Sequence, residues 1–256
     1  MSNPIPNWPK MNCVNGVSST KLKSWEQFHS IVNVMVDLPH YVFRGQRESN
    51  WLLEPSLARM LKKQPERESL IAEHLERFQH ASRGRRGQNP PPILSNDNWW
   101  ALGQHHGLAT PLLDWTYSPY VALFFALEEM ASSECSIVYA LNTRRIMEML
   151  EIDELFGDPS NADIVFVRPL SDENSRLVAQ GGLFTRSSIE VDIEGWVSRR
   201  FAGEKKNTLL RVFIPKAERI KCLKALNVMN INHASLFPDL YGAGKHSTEI
   251  LRRSLE

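Results

Sequence analysis

The chain has 256 residues, 42% of them hydrophobic and 23% charged, with a formal net charge of +1. That length allows one large domain or two small ones with a substantial core. A near-neutral chain has no overall field to hold a nucleic acid or an anionic membrane, which leaves only local patches for such contacts. The three cysteines, Cys13, Cys135 and Cys222, form neither a CxxC pair nor a zinc spacing. They are read as free thiols in a reducing, cytoplasmic compartment. The N-terminus has no basic stretch followed by an apolar run, so no secretory signal is expected. The longest apolar run, Tyr120 to Leu127, is too short to cross a bilayer.

Residues 1–20 hold three prolines and Gly16 and read as an extended arm. Ser24 and Gln27 have capping-box spacing, and Phe28, Ile31, Val32 and Met35 follow at helical intervals. This predicts a helix from Trp25 to Val36, ended by Pro39. Tyr41-Val42-Phe43 is a short β-prone run that stops at Arg44-Gly45. Residues 66–80 read as a charged amphipathic helix, and 83–92 as a Gly- and Pro-broken loop or linker. Asp97 is placed to cap a helix from Trp99 to His105. Leu112-Leu113-Asp114 predicts a second short strand. Ser118-Pro119 then supplies an N-cap and a first-turn proline for a buried helix over Tyr120 to Met130. Further strands are expected at Ser136–Leu141, Ile164–Val167 and Leu209–Ile214. A helix from Ala217 to Leu226 and a polar C-terminal tail complete the chain. Strands and helices without strict βαβ alternation indicate an α+β domain.

Four segments carry candidate chemistry. Arg44 at a strand end presents a rigid fork of donors, and Gly45 beside it would let a ligand approach the backbone, as recognition of a pyrophosphate requires. The alternative is an arginine paired with a buried carboxylate beside a turn glycine. The stretch from Gln104 to Ser118 is dense in polar groups between apolar segments, which suits a pocket. Asp114 within it is a natural partner for Arg44. His105 and His106 are adjacent and lack the i, i+4 spacing of a helical metal site, and no metal is expected. Gln180-Gly181-Gly182, at the end of the run from Arg176 to Thr185, reads as a loop that brings an amide to a ligand, or simply as a turn. Leu236 to Gly242 reads as apolar anchors with Asp239 capping a turn. Nothing in the chain matches a P-loop, a GxGxxG fingerprint, a GxSxG elbow or an HExxH helix.

These segments resemble a known family in order and content. Phe43-Arg44-Gly45-Gln46 with Trp51 to Leu57, then Gln104-His105-His106-Gly107 through Leu112-Leu113-Asp114-Trp115-Thr116, resemble the opening and central motifs of the FRG domain family. Gln180 to Phe184 and Leu236 to Leu240 are similar to its later motifs. The resemblance implies an N-terminal arm and helix over 1–39, an FRG domain over 40–245 and a tail over 246–256. The family usually has arginine where this chain has Pro111.

A more distant similarity is to ADP-ribosyltransferases, which place an arginine on a first strand, a Ser/Thr-bearing strand leading into a helix, and usually a glutamate on a later strand. It implies a single α+β domain with a split mixed or antiparallel β core and helices around it. The substrate would be NAD, bound by Arg44, Gly45, Gln46, Gln104, His105, Trp115, Thr116 and Ser118. Asp114, His106 and Gln180 would be the catalytic groups. No Glu-x-Glu or Gln-x-Glu stands at a predicted strand, so the carboxylate is left among Asp114, Glu190, Glu194 and Glu249. The implied activity is that of a toxin or defence effector that modifies a protein or a nucleic acid, RNA included, with a neutralising antitoxin partner and no membrane. Arg83, Arg85 and Arg86 are candidate phosphate contacts. Two other readings stay open: a nucleotide- or partner-binding module without turnover, and a nucleic-acid hydrolase using His105 and His106.

Overall fold

The computed structural model describes residues 11–35, 40–87, 90, 92, 95–156, 164–169, 180–188 and 191–255. Residues 1–10 of the expected arm, Val36, Pro39, Arg176 to Ala179 and Glu190 lie outside the described residues.

The chain enters through a hairpin, β1 (Cys13–Val14) and β2 (Val17–Lys21). Its two-residue turn is Asn15-Gly16, both at positive φ, 52° and 74°. This is the residue pair that a tight hairpin favours, because both turn positions must be left-handed. The described part of the expected arm, from Met11 onward, therefore forms the edge of the sheet. Helix α1 (Glu26–Met35) follows, then β3 (Tyr41–Gln46). Helices α2 (Ser56–Leu61), α3 (Arg67–Ser82) and α4 (Asn96–His105) lead to β4 (Leu112–Thr116). Ser95 rather than Asp97 caps α4, accepting from the Asn98 amide, and Asp97 pairs with Arg186 at 2.8 Å.

Helix α5 (Pro119–Leu127) begins as its sequence dictates: the Ser118 hydroxyl accepts from the Val121 amide and Pro119 opens the first turn. β5 (Cys135–Asn142), α6 (Thr143–Phe156), β6 (Ile164–Val167) and β7 (Gly182–Ser187) come next. Then come α7 (Ile193–Arg200), β8 (Leu209–Pro215), α8 (Arg219–Val228), the short α9 (His233–Leu236) and α10 (Leu240–Leu255). The C-terminal stretch expected to be a polar tail is thus largely helical.

The eight strands form one sheet in the order β1-β2-β8-β5-β3-β4-β7-β6. All neighbours are antiparallel except β2 and β8, which run parallel over five partners. The sheet is covered on both faces. Along β5, Val138 and Ala140 turn to a core made with α1, α5 and α8. Ile137, Tyr139 and Leu141 turn to a second core with α6 and α7. A third cluster packs α2, α3 and α4 against β4, β6 and β7 through Leu57, Leu75, Trp100, Leu112, Val167 and Phe184. The α+β expectation holds. The β core is not split as expected: it is a single mixed sheet, in which β3 and β4 share one register pair.

Candidate functional site

That central join positions the site. β3 and β4 are neighbours, but they share a single register pair, Phe43 opposite Thr116. Beyond it β3 follows β5 through six partners and β4 follows β7 through five. Strands that part leave backbone groups without a ladder partner, and these groups must be satisfied some other way. Arg44 enters the gap. Its Nη1 donates to the main-chain oxygen of Asp114 at 2.9 Å and lies 3.5 Å from Asp114 Oδ2.

A cleft of about 450 Å³ opens over this split, and such a volume holds a small organic ligand. Segments far apart in sequence meet in its lining: Phe43 to Arg47 and Trp51, Arg59, Gln104 and His105, Asp114 to Thr116, Phe125, Glu128 and Glu129, then Gln180, Phe184 and Phe237. All four segments singled out in the sequence contribute to it.

The polar groups of the cleft are wired in sequence. The buried Thr110 hydroxyl donates to Gln104 Oε1, which fixes the amide so that Gln104 Nε2 donates to Asp114 Oδ1 at 2.6 Å. Asp114 thus receives a neutral donor on one oxygen and faces Arg44 with the other. Thr116 Oγ1 donates to the main-chain oxygen of Gln180 at 2.6 Å, and Gln180 Nε2 donates to Leu236 O at 3.2 Å. The amide of Gln180 therefore ties the entry of β7 to α9.

Arg44 is only 20% exposed at its side chain, whereas Asp114 is 60% exposed. Burial draws the Arg44 pKa below its ordinary value; Asp114 works against that shift and the nearby Arg59 charge adds to it. The Arg44 Nε is buried without a hydrogen-bond partner.

Several sequence-derived roles change. Gly45 lines the cleft and also gives room to a helix: a Cβ there would stand 1.9 Å from Ala122 O and 2.5 Å from Ala126 N, both in α5. Gln46 is buried and its amide donates to Trp51 O at 2.8 Å, bracing the loop after β3. The Trp115 indole is buried in the second core and donates to Thr185 Oγ1 at 2.9 Å, so its ring is packing and not a cofactor surface. Ser118 is spent as the α5 cap and is not among the cleft residues. His105 lines the cleft, but His106 is exposed and outside the lining, its ring edge-on to His105 at 4.8 Å. A side chain directed away from the cleft cannot serve chemistry within it.

Among the carboxylates left open, Glu194 is committed elsewhere. It pairs with Arg211 in the interior beside Tyr139, and burial raises its carboxyl pKa while Arg211 opposes the shift. Glu249 lies on α10 and is not among the cleft residues. The carboxylates that do line the cleft are Asp114, Glu128 and Glu129. Glu128 and its partner His233, 3.2 Å away, were not singled out in the sequence. Glu128 follows the last residue of α5 and His233 opens α9, and only the approach of α9 to α5 brings them together. Among the described residues, no group of three His, Cys, Asp or Glu side chains could hold a metal ion. No helix among them is long and apolar enough to cross a membrane.

Residues 39–135 match the family model of the FRG domain. No curated protein and no solved structure matches the chain. The matched stretch contains Arg44, Gln104, Asp114, Thr116 and Glu128; Gln180 and Phe237 come from beyond it and line the same cleft, and His233, also from beyond it, binds Glu128.

Proposed function

The chain carries an FRG domain, and we propose that its cleft binds NAD and transfers the ADP-ribosyl group to a protein or nucleic-acid acceptor. The observation that carries this reading is the Arg44 guanidinium in the split between β3 and β4, buried, with Nε unmatched and Arg59 alongside. A pyrophosphate supplies the charge and the acceptor oxygens that this pair of arginines calls for. Asp114 and Gln104 hold the fork in place from one side. Thr116, on the adjacent strand and one residue pair away, stands where the ribose and nicotinamide half would lie. An arginine strand beside a Ser/Thr strand that runs into a buried helix is also the arrangement that the similarity to ADP-ribosyltransferases calls for. His105 at the cleft wall and Gln46 behind it complete the nucleotide side.

In this reading the protein is a cytoplasmic toxin or defence effector, held in check by an antitoxin partner. The exposed Arg83 and Arg85 would meet the phosphates of an RNA or DNA acceptor. The test is incubation of the purified protein with NAD and cell extract. The wild type is expected to release nicotinamide and transfer label. At NAD concentrations well below saturation, Arg44→Ala is expected to lower both by about 100-fold through lost affinity, as when one partner of a buried charge pair is removed. Identical behaviour of the two proteins would sink the proposal.

One observation favours a second reading, a nucleotide-binding module without turnover. At the entry to β7, where the similarity leads one to look for a carboxylate, stands Gln180, its amide engaged by Leu236. Calorimetry with NAD and ADP-ribose separates the two: tight binding with no nicotinamide released supports the second.

A further inference from the structure

Among the described residues, three carboxylates line the cleft, and their partners differ. Asp114 faces Arg44 and accepts from Gln104. Glu129 is paired with Arg47 and is 65% exposed, on the rim. In both, an arginine offsets the negative charge before any ligand arrives. Among the described residues, no arginine or lysine pairs with the Glu128 side chain. Among the described residues its carboxylate meets one group, His233 Nε2, at 3.2 Å.

Glu128 is also held from several sides. It is the residue directly after α5, and its amide donates to Phe124 O. Its main-chain oxygen accepts from Arg219 Nη2 at 2.8 Å, while Arg219 Nε binds Leu127 O at 2.7 Å. This is the arginine capping that helix C-termini favour. Its partner is equally fixed. His233 is stacked on Phe237, 25° between planes at 6.0 Å, and stands edge-on to Phe124 at 5.0 Å. Since a carboxylate only accepts, the histidine must carry its proton on Nε2 and donate it. Beside Glu128 the cleft wall is aromatic, Phe125 and Phe237 meeting at 84° with centroids 6.1 Å apart.

We infer that Glu128 is the catalytic carboxylate of the cleft and that His233 is the residue that positions it. The inference rests on the NAD reading above and names the group that reading lacks. The bond between C1′ of the ribose and the pyridinium nitrogen breaks, and its electron pair leaves with neutral nicotinamide. The positive charge that develops at C1′ faces the Glu128 carboxylate, which no arginine has neutralised. A carboxylate aimed at charge that appears only in the transition state lowers the barrier without tightening substrate binding. The acceptor's lone pair then forms the new bond to C1′. Its proton passes to Glu128 and on to water, so that NAD and acceptor yield ADP-ribosyl acceptor, nicotinamide and a proton. The Phe125–Phe237 wall is where the aromatic leaving group would rest.

The experiment measures nicotinamide release from NAD in cell extract and NAD affinity by calorimetry, for the full chain and four variants. Glu128→Gln keeps shape and the contact with His233. It is expected to lose at least about 100-fold in kcat with NAD affinity unchanged. Arg44→Ala is expected to lose affinity instead. His233→Leu is expected to lower kcat and leave KM in place, and His233→Gln, which restores a donor to Glu128, is expected to recover most of that loss. A merely structural Glu128–His233 pair would lower the melting temperature and the affinity together, and that result overturns the assignment. If the wild type is active and Glu128→Gln equally so, the assignment fails while the NAD reading stands. If the wild type releases no nicotinamide, both fail.

Discussion

Arg44 and Gly45 stand side by side on β3, and their environments are opposite. Arg44 reaches across the split to Asp114, while Gly45 lies beneath the backbone of α5. The sequence makes both look like ligand groups and leaves open a carboxylate partner for the arginine and a turn for the glycine. Both line the cleft, and Arg44 does meet a carboxylate. The contact of Gly45 with α5 is not legible, because the backbone that presses on it belongs to a helix that reaches β3 only on folding. Gly45→Ala separates the two roles. The new methyl would meet Ala122 O and Ala126 N, which are main chain and cannot move aside by a rotamer change. The helix must lift from the sheet, at a cost of about 3 kcal/mol, the upper end for overpacking. A urea midpoint lowered accordingly is expected, whereas Arg44→Ala stays near the wild-type midpoint. An unchanged midpoint for Gly45→Ala would mean that α5 does not seat there. Trp115 is a similar case: its indole N–H is claimed by Thr185, which the sequence does not show. Ser118 has two roles in the sequence, helix cap and ligand group, and the fold uses the cap.

Elements with strong local signals were legible. α5 announced itself through Ser118-Pro119 and an apolar run, and β5 and β8 through continuous β-prone stretches buried on both faces. β7 was read as a glycine turn, since Gln180-Gly181-Gly182 hides its start. It is a strand because β4 and β6 flank it, and that is a decision of tertiary context. The loop after β3 shows another such device. Glu48 accepts from the Ser132 and Ser133 amides at 2.8 and 2.9 Å, fastening the loop that carries Trp51 to the segment between α5 and β5. Those backbone donors hold the Glu48 carboxyl below its ordinary value of 4.5; desolvation opposes them. A depressed folded pKa gives stability that is fully present above the unfolded value. That stability is lost as pH falls through the lower folded value. Melting temperature followed downward from pH 6 is expected to show this acid loss in the wild type. Glu48→Gln is expected to start lower at pH 6 and to have a shallower acid limb. Parallel limbs would show that Glu48 carries no such linkage.

At the scale of the whole molecule, the cleft depends on strands that the matched FRG stretch does not contain. Residues 39–135 supply β3, β4 and α5, but β5 is held in place by β8, and β8 by β2. The hairpin β1–β2 is the piece that a reading as a loose arm would discard, even though Asn15-Gly16 between Val14 and Val17 is a strong hairpin signal. Its removal would strip β8 of a parallel neighbour over Leu209 to Phe213. It would also remove the Gly16 carbonyl that accepts from the Thr208 and Leu209 amides at 2.7 and 3.0 Å. Arg211 would lose Ser19, which accepts from its Nε and Nη2 at 2.9 and 2.7 Å. What remains is an exposed, mostly apolar strand edge, the form of surface that templates pairing between chains. A chain truncated to begin at Leu22 is therefore expected to elute as large aggregates in size-exclusion chromatography with light scattering and to lose cooperative melting, although every cleft residue is still present. If it elutes and melts as the full chain does, β2 is dispensable and the sheet is closed at β8 by its own side chains.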